Sequence, residues 1–217
     1  MSPSLRVLGN LNGGTSSDSG DSSGGGDKAT DYLKYIHAED GTHSIEVNLP
    51  NFVTKISFEQ DKKLTSFNGD LSSVTYGYKM FYNCSALTSI NSNFSSITNG
   101  ESLCDRCTSL TSFNASLSSL PNGMYAFNEC KALTSLNTDL SGLTDGRWMF
   151  GSSILNCAKL DLPSVQNIAT TINDLASQGK TGSITIGMAK SIQGNADLET
   201  ALATIRSKGW TVSEMYA

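Results

Sequence analysis

The sequence predicts an α/β repeat protein, in which a solenoid of four stacked coils lies between a β-rich N-terminal segment and an α/β C-terminal segment. A Leu-Thr-Ser motif recurs at residues 64, 87, 110 and 133, with a constant spacing of 23 residues. An asparagine follows each of these leucines after four positions, and a glycine follows after thirteen. A unit of this length cannot bury its own apolar face, whereas stacked units bury a continuous one. The repeat therefore predicts a solenoid.

Columns of apolar residues complete the repeat unit. The fourth, eighth and eleventh positions hold Phe, Leu, Ile or Val in every unit, and a cysteine column follows: Cys84, Cys107, Cys130 and Cys157. We expect these side chains to face the core. We also expect the glycines to adopt a positive φ and the asparagine amides to bind backbone groups of the adjacent coil. An insertion of four residues, near 151–154, lengthens the last cysteine spacing to 27.

The motifs "MFYNCSALTSI" and "AFNECKALTSL" resemble the F-x-x-C-x-x-L-x-x-I pattern of BspA-type leucine-rich repeats. The resemblance extends from residue 64 to about residue 160. It is to the asparagine- and serine-rich variety of that family, because the I-P-x-x-V-x-x-I segment of many members is replaced here by segments such as "NSNFSSITNG". The resemblance implies a right-handed leucine-rich-repeat-like solenoid, and it implies a surface or adhesive role.

Composition divides the chain into five segments. Residues 1–12 are a short peptide, and residues 13–27 are a Gly/Ser/Asp linker that would span about 20 Å as a random coil. Residues 28–63 are predicted to form an N-terminal β cap, residues 64–160 the solenoid and residues 161–217 a C-terminal α/β cap. In that last segment we expect two helices, one from Pro163 to about Gly179 and one from about Ala196 to Lys208 with Asn195 as its N-cap, and strands at 183–187 and 210–212.

Charge and hydropathy argue against two function classes. The net charge is -5 and no Lys/Arg cluster is present, which argues against nucleic-acid binding. No apolar run approaches the length that spans a membrane, so membrane insertion is not expected. The low share of charged residues, 16%, is more typical of an extracellular or virion β-rich protein than of a cytosolic enzyme.

The residues with reactive side chains do not form a catalytic pattern. Cys104 and Cys107 have the spacing of a redox or zinc motif, but both fall in core columns, so we interpret them as buried apolar fillers. A disulfide between stacked columns is the alternative. His37 and His43 both precede the repeats, with no nucleophile motif near them. We therefore expect no enzymatic activity, no catalytic residue, no metal and no cofactor.

Two features are candidate binding sites. The first is the N-terminal peptide, which could add a strand to a partner protein; its anchoring residues would be Leu5, Arg6, Val7, Leu8 and Leu11. A disordered tail is the alternative reading of this peptide. The second is a hydroxyl-rich stripe formed by Thr65, Thr88, Thr111 and Thr134, which suits contact with a glycan or protein. Ordinary solvated surface is the alternative reading of the stripe.

The order of peptide, linker and solenoid favours a non-enzymatic display protein. The N-terminus does not have the pattern of a secretory signal, which favours a bacteriophage virion component (a head decoration, fibre or tail-associated protein). In that case the peptide would bind a capsid or tail protein, and the repeat body would bind a host-surface protein or glycan. The alternative is a BspA-like adhesin on a bacterial cell surface. Both hypotheses are compatible with an oligomer.

Overall fold

The computed structural model describes residues 6–7, 33–37, 40–49 and 53–217. It shows a parallel β-solenoid of about four turns with few helices. The strands are, in chain order, β1 (Arg6–Val7), β2 (Leu33–His37), β3 (His43–Asn48), β4 (Ile56–Ser57), β5 (Leu64–Asp70), β6 (Ser89–Asn93), β7 (Ser112–Ser116), β8 (Ser135–Asn137), β9 (Gly182–Met188) and β10 (Trp210–Tyr216). Two α-helices, α1 (Leu162–Thr171) and α2 (Ala196–Ser207), lie in the C-terminal segment.

A six-stranded sheet runs along the solenoid in the order β2, β3, β5, β6, β7, β8. From β5 to β8 the strands are parallel, and equivalent repeat positions lie side by side, as Phe67, Ile90 and Phe113 do. The fourth position of each unit faces the core because side chains alternate along a strand. The spacing of 23 residues is therefore confirmed as one turn of the solenoid.

Phenylalanine rings form the centre of the core. Phe67, Phe81, Phe94, Phe113, Phe127 and Phe150 are all buried, and each ring contacts the next at centroid distances of 4.7 to 6.2 Å. Leucine, isoleucine and valine columns surround these rings. This continuous apolar column supplies the hydrophobic stabilisation that no single unit could provide.

The glycine column keeps its place, but its role differs from the expected one. Positive φ occurs at other glycines, and Gly77, Gly100, Gly123 and Gly146 are not among them. A Cβ at Gly100 would lie 2.8 Å from the Cδ1 atom of Leu120 in the next coil, and one at Gly146 would lie 2.9 Å from Ile184. Close packing between coils, not turn geometry, therefore explains these glycines.

Positive φ instead falls on two columns of other residues. One column is Lys79, Ser102, Tyr125 and Trp148, and the other is Gln60, Asn83, Arg106 and Glu129. In an L-residue this left-handed conformation costs about 1–2 kcal/mol. The stacked coils impose it at equivalent places, because the first column recurs in all four units and the second recurs every 23 residues from residue 60 to residue 129.

The C-terminal segment continues the stack. β9 and β10 pair in parallel, and β9 joins the last coil through the Gly146–Ile184 and Leu160–Met188 bridges. The side chain of Asp161 caps α1 by accepting from the Ser164 N–H group, and that of Asn195 caps α2 as expected. The helix predicted from Pro163 ends earlier than expected, at Thr171, and is followed by a 3₁₀ turn at Ala176–Gln178.

The N-terminal segment joins the first coil through β3 and through a bridge between Lys55 and Tyr76. β2 and β3 form an antiparallel hairpin, and β3 pairs in parallel with β5. β1 pairs antiparallel with β4, so that Arg6 lies opposite Ser57 and Val7 opposite Ile56. At the end of the first coil the buried side chains of His43 and Asp61 meet, with 2.8 Å between Nε2 and Oδ2.

We expect Asp61→Ala to lower the free energy of unfolding by about 1–3 kcal/mol. The Asp61 carboxylate contacts the His43 ring and accepts hydrogen bonds from the N–H groups of Lys63 and Leu64, so its removal takes a buried hydrogen-bond partner away from all three groups. Urea denaturation would measure the change. Lys62→Ala, at the exposed neighbouring position, is the control and should leave stability nearly unchanged.

Candidate binding faces of the solenoid

The threonine stripe, Thr65, Thr88, Thr111 and Thr134, lies at the same position of four successive coils. Each hydroxyl donates to a backbone carbonyl oxygen of the preceding coil, at 3.0, 2.8, 3.0 and 3.4 Å in chain order. The hydroxyl hydrogens are thus already used to join the coils. The stripe can contact a ligand only through threonine methyl groups and through hydroxyl oxygens as acceptors. It is therefore poorly suited to recognise a polar ligand.

The asparagine column behaves differently from the expectation. Asn114 donates from Nδ2 to Oδ1 of Asn91 at 2.9 Å, and Asn137 donates to Asn114 at 2.8 Å. The amides therefore bind one another along the sheet surface instead of binding the backbone. They line a shallow depression of about 340 Å³ that also includes Asn167 of α1.

The thiols face the core, as expected from their columns. Three of them donate from Sγ to backbone carbonyl oxygens of the preceding coil: Cys84 to Phe58 and Cys107 to Phe81 at 3.0 Å, and Cys130 to Cys104 at 3.1 Å. All five cysteines are buried and free. Burial raises the pKa of the Cys84, Cys104 and Cys130 thiols, which disfavours the reactive thiolate. Within the described residues, no three His, Cys, Asp or Glu side chains lie close enough to hold a metal ion.

A third surface, which we call the aromatic face, carries every Tyr and Trp of the repeats. It comprises positions 13 to 20 of each unit, which are residues 76–83, 99–106, 122–129 and 145–152. Its aromatic residues are Tyr76, Tyr78, Tyr82, Tyr125 and Trp148, and all of them are partly exposed. The remaining outward columns of the solenoid carry mostly Ser, Thr and Asn.

At the N-terminal end of the aromatic face, cations lie over tyrosine rings. Lys55 Nζ lies 4.3 Å from the centroid of the Tyr76 ring, and Lys79 Nζ lies 5.1 Å from those of both Tyr78 and Tyr82. The guanidinium of Arg106, from the next coil, lies 5.7 Å from the Tyr82 ring. Such contacts favour these positions of the rings, because a cation is attracted to the face of an aromatic ring.

At the C-terminal end, Tyr125 and Trp148 stack on each other from adjacent coils. Their ring centroids are 5.2 Å apart and the rings are nearly parallel, at 15°. The backbone N–H group of Trp148 donates to Oγ1 of Thr185 in β9 at 3.0 Å, which holds the Trp148 backbone in place. The residue as a whole is 39% exposed. The stack is therefore held in place and also open to solvent.

An ion pair lies beside this stack. The Arg147 guanidinium binds Asp145 through two nitrogens, with Nε 3.0 Å from Oδ1 and Nη2 2.6 Å from Oδ2. It also lies 5.9 Å from the centroid of the Trp148 ring. The hydrogen bonds from Arg147 hold the pKa of the Asp145 carboxyl below its usual range. The pair thus presents a fixed planar group with both donors and acceptors next to an aromatic ring.

The insertion of the last unit adds an apolar projection. It forms a 3₁₀ turn at Ile154–Asn156, in which Ile154 is 60% and Leu155 is 84% exposed. It is tied to the third coil, because the Ser152 N–H group donates to Oδ1 of Asn128 and the Glu129 N–H group donates to the Asn156 carbonyl.

Asp105 is a buried carboxyl within the aromatic face, and its Oδ1 accepts from Asn128 at 2.9 Å. Burial raises the pKa of Asp105 above its ordinary value, although the bond from Asn128 opposes the shift. The Asp105 carboxyl therefore binds its proton more tightly in the folded protein than in the unfolded chain. The charged form therefore lowers stability at neutral pH, and this penalty disappears as pH falls through the raised pKa towards the unfolded value of about 4.

We accordingly expect Asp105→Asn to raise the Tm at pH 7 and to leave it unchanged near pH 3, because the asparagine keeps the acceptor atom without the charge. Thermal unfolding between pH 3 and pH 7 measures the difference. Glu101→Gln, on the same face, is the matched control. A variant that is less stable than the native chain at pH 7 would contradict this account.

The anchoring residues predicted at the N-terminus are only partly described. Arg6 and Val7 form β1 and pair with β4 of the same chain, whereas Leu5, Leu8 and Leu11 lie outside the described residues. Of the two histidines, the side chain of His43 is buried against Asp61. No helix of the described part of the chain is long and apolar enough to cross a membrane.

Comparison of the chain with protein-family models, with curated proteins and with solved structures gives no match. The assignment to BspA-type repeats therefore rests on the sequence motifs alone. The fold, in contrast, follows from the strand register itself.

The aromatic face is not among the sites predicted from the sequence. Those predictions rest on residues that recur from unit to unit, whereas the residues of this face differ between units. Position 15 holds Tyr78, Glu101, Met124 and Arg147, and position 16 holds Lys79, Ser102, Tyr125 and Trp148. That variation within a regular repeat was itself the signal that could have located the face.

Proposed function

We propose that this protein is a non-enzymatic display protein whose solenoid presents a binding face. The observation that carries the proposal is the concentration of aromatic and charged side chains on one face of a body that is otherwise regular and built from small polar residues. Solenoids use extended surfaces of this kind to bind partners. The reactive groups support the same reading, because the thiols are engaged with the backbone in the core and His43 is engaged with Asp61.

In this proposal the solenoid is of the leucine-rich-repeat type and has caps at both ends. The F-x-x-C-x-x-L motif supports the type. The β2–β3 hairpin supports an N-terminal cap, since it covers the edge of β5 that would otherwise be open. The α1, α2, β9 and β10 segment supports a C-terminal cap, since Ile184 packs against Gly146 of the last coil.

The setting that we propose is a bacteriophage virion, with the protein as a head decoration, fibre or tail-associated component. The N-terminal peptide would attach it to a capsid or tail protein, and the Gly/Ser/Asp linker would hold the solenoid away from that surface. Strand addition is the proposed mode of attachment. Because β1 pairs with β4 of the same chain, the peptide would exchange β4 for the sheet edge of the partner. A bacterial cell-surface adhesin is the second candidate, favoured by the repeat motif.

The test compares the full-length chain with a chain that starts at Asp27, for incorporation into phage particles and for binding to bacterial or host cells. We expect the truncated chain to keep its fold and its cell binding but to lose incorporation. Mass spectrometry of purified virions provides the direct measurement. Virions of the producing phage that lack the protein would overturn the virion setting, and cell binding without incorporation would favour the adhesin.

A further inference from the structure

We propose that the aromatic face binds a neutral carbohydrate chain, and that sugar rings pack on Trp148 and Tyr125. This inference rests on the proposed display function and adds a ligand class and a site to it. The face is an aromatic and polar surface, distinct from the threonine stripe, whose hydroxyl hydrogens are used between coils.

The large and charged residues of the repeat vary on the aromatic face. The Thr and Asn columns, in contrast, carry the same residue in all four coils. The aromatic face instead carries a different residue at each step of its two most prominent columns, positions 15 and 16. Its column at position 16 also holds bulky side chains on a backbone with positive φ: 59° at Tyr125 and 55° at Trp148. Because Lys79 and Ser102 share this conformation, it belongs to the coil, and the two rings project from equivalent backbone positions of adjacent coils.

The chemical groups of the aromatic face match those of a sugar ring. A sugar ring has an apolar side, made of C–H groups with partial positive charge, and an edge of hydroxyl groups that both donate and accept hydrogen bonds. The negative face of an aromatic ring attracts the C–H groups of the sugar. Carboxylate, amide and guanidinium groups together donate to and accept from its hydroxyl groups. Both occur together where the Tyr125–Trp148 stack lies beside the Asp145–Arg147 pair.

Positive and negative charges nearly balance on the aromatic face. The four segments of the face contain three cationic residues, Lys79, Arg106 and Arg147, and four acidic ones, Glu101, Asp105, Glu129 and Asp145. Two of the cations are paired within the face, Arg147 with Asp145 and Arg106 with Glu129 at 3.7 Å. A phosphate polymer would require a net positive surface. A balanced surface with fixed rings fits an uncharged ligand, and a neutral glycan meets this condition.

The length of the face sets the size of the ligand. Tyr78 and Trp148 lie in the first and the fourth coil, and strand spacing places successive coils about 4.8 Å apart. The rings therefore cover about 14 Å along the solenoid axis, which suits a short run of sugar residues in an extended chain.

Native gel electrophoresis in gels that contain dextran, laminarin, galactomannan or soluble starch would test the proposal. We expect at least one of these neutral polysaccharides to retard the native protein. Trp148→Ala and Tyr125→Ala should weaken that binding at least tenfold, whereas Thr88→Ala on the threonine stripe and Leu155→Ala on the insertion should not. The Tm of each variant shows whether the variant is folded. We expect Trp148→Ala to fold, because Trp148 is 39% exposed.

Fluorescence provides a second measurement that does not depend on a variant. The other tryptophan, Trp210, is 3% exposed, so quenching by acrylamide reports mainly on Trp148. A soluble oligosaccharide of the polysaccharide that retards the protein, such as maltoheptaose for starch, should protect Trp148 from the quencher. Absence of retardation in all four gels, or equal retardation of the native protein and Trp148→Ala, would overturn the inference.

The same variants distinguish this failure from failure of the display function. If the protein binds cells and the binding survives periodate treatment but is lost in Leu155→Ala, the partner is a protein. In that case the carbohydrate inference is wrong and the display function stands. If the native protein neither enters particles nor binds cells, the display function is wrong as well.

Discussion

Cys84→Asp is expected to lower the free energy of unfolding by more than about 4 kcal/mol, or to prevent folding altogether. The Cys84 side chain is 0% exposed, and its Sγ donates to the carbonyl oxygen of Phe58 at 3.0 Å. A carboxylate at this place has no proton to donate and faces a carbonyl oxygen in the core. The chain must then bury an uncompensated charge or break the contact between two coils. Thermal and urea unfolding would both measure the loss.

Three control variants separate the effects of charge, volume and hydrogen bonding at this position. Ser85→Asp places the same charge on the half-buried neighbouring residue and should cost well under about 1 kcal/mol. Cys84→Ser keeps a donor for the Phe58 carbonyl oxygen and should lower the free energy of unfolding only slightly more than Ser85→Asp does. Cys84→Ala loses the donor and should lower it by about 1–2 kcal/mol. An unchanged Tm for Cys84→Asp would show that the cysteine column does not face the core.

The parts of the fold that repeat could be predicted from the sequence. The core columns, the burial of Cys104 and Cys107 and the position of the insertion all follow from comparing the chain with itself, because burial in a solenoid is periodic. The N-cap at Asn195 could be predicted for a different reason, since a cap is a local signal within one turn of helix. Each of these inferences needed only spacing or neighbouring residues.

Other features depend on geometry that spacing does not contain. A column of asparagines shows that coils interact there, but not whether an amide reaches the backbone or, as Asn114 does, the next amide. A column of glycines indicates either a positive φ or a close approach, and only the distance from Gly100 to Leu120 decides between them. The aromatic face could not be found by a search for repetition, because its residues differ from coil to coil.

Gly69→Ala tests the contact between the first coil and the hairpin before it. Comparison of the units alone predicts a harmless change, because the same position holds Ser92, Ala115 and Thr138 in the other coils. The structure predicts the opposite. Gly69 has a φ of 138°, and a Cβ there would lie 2.3 Å from Cγ2 and 2.6 Å from the carbonyl oxygen of Val47 in β3. We expect a loss of about 2–4 kcal/mol in the free energy of unfolding.

The cause lies in the neighbour of β5. The other strands at this position pair with a preceding coil of the same shape, whereas β5 pairs with β3, whose register shifts between His43 and Ser44. Ser92→Ala, one coil further on, is the matched control and should cost about 1 kcal/mol, since it loses one hydrogen bond to Gly69. Urea unfolding measures both variants, and amide exchange in β3 should increase in Gly69→Ala. Equal stability of Gly69→Ala and the native chain would mean that β3 does not pack against β5 in this register.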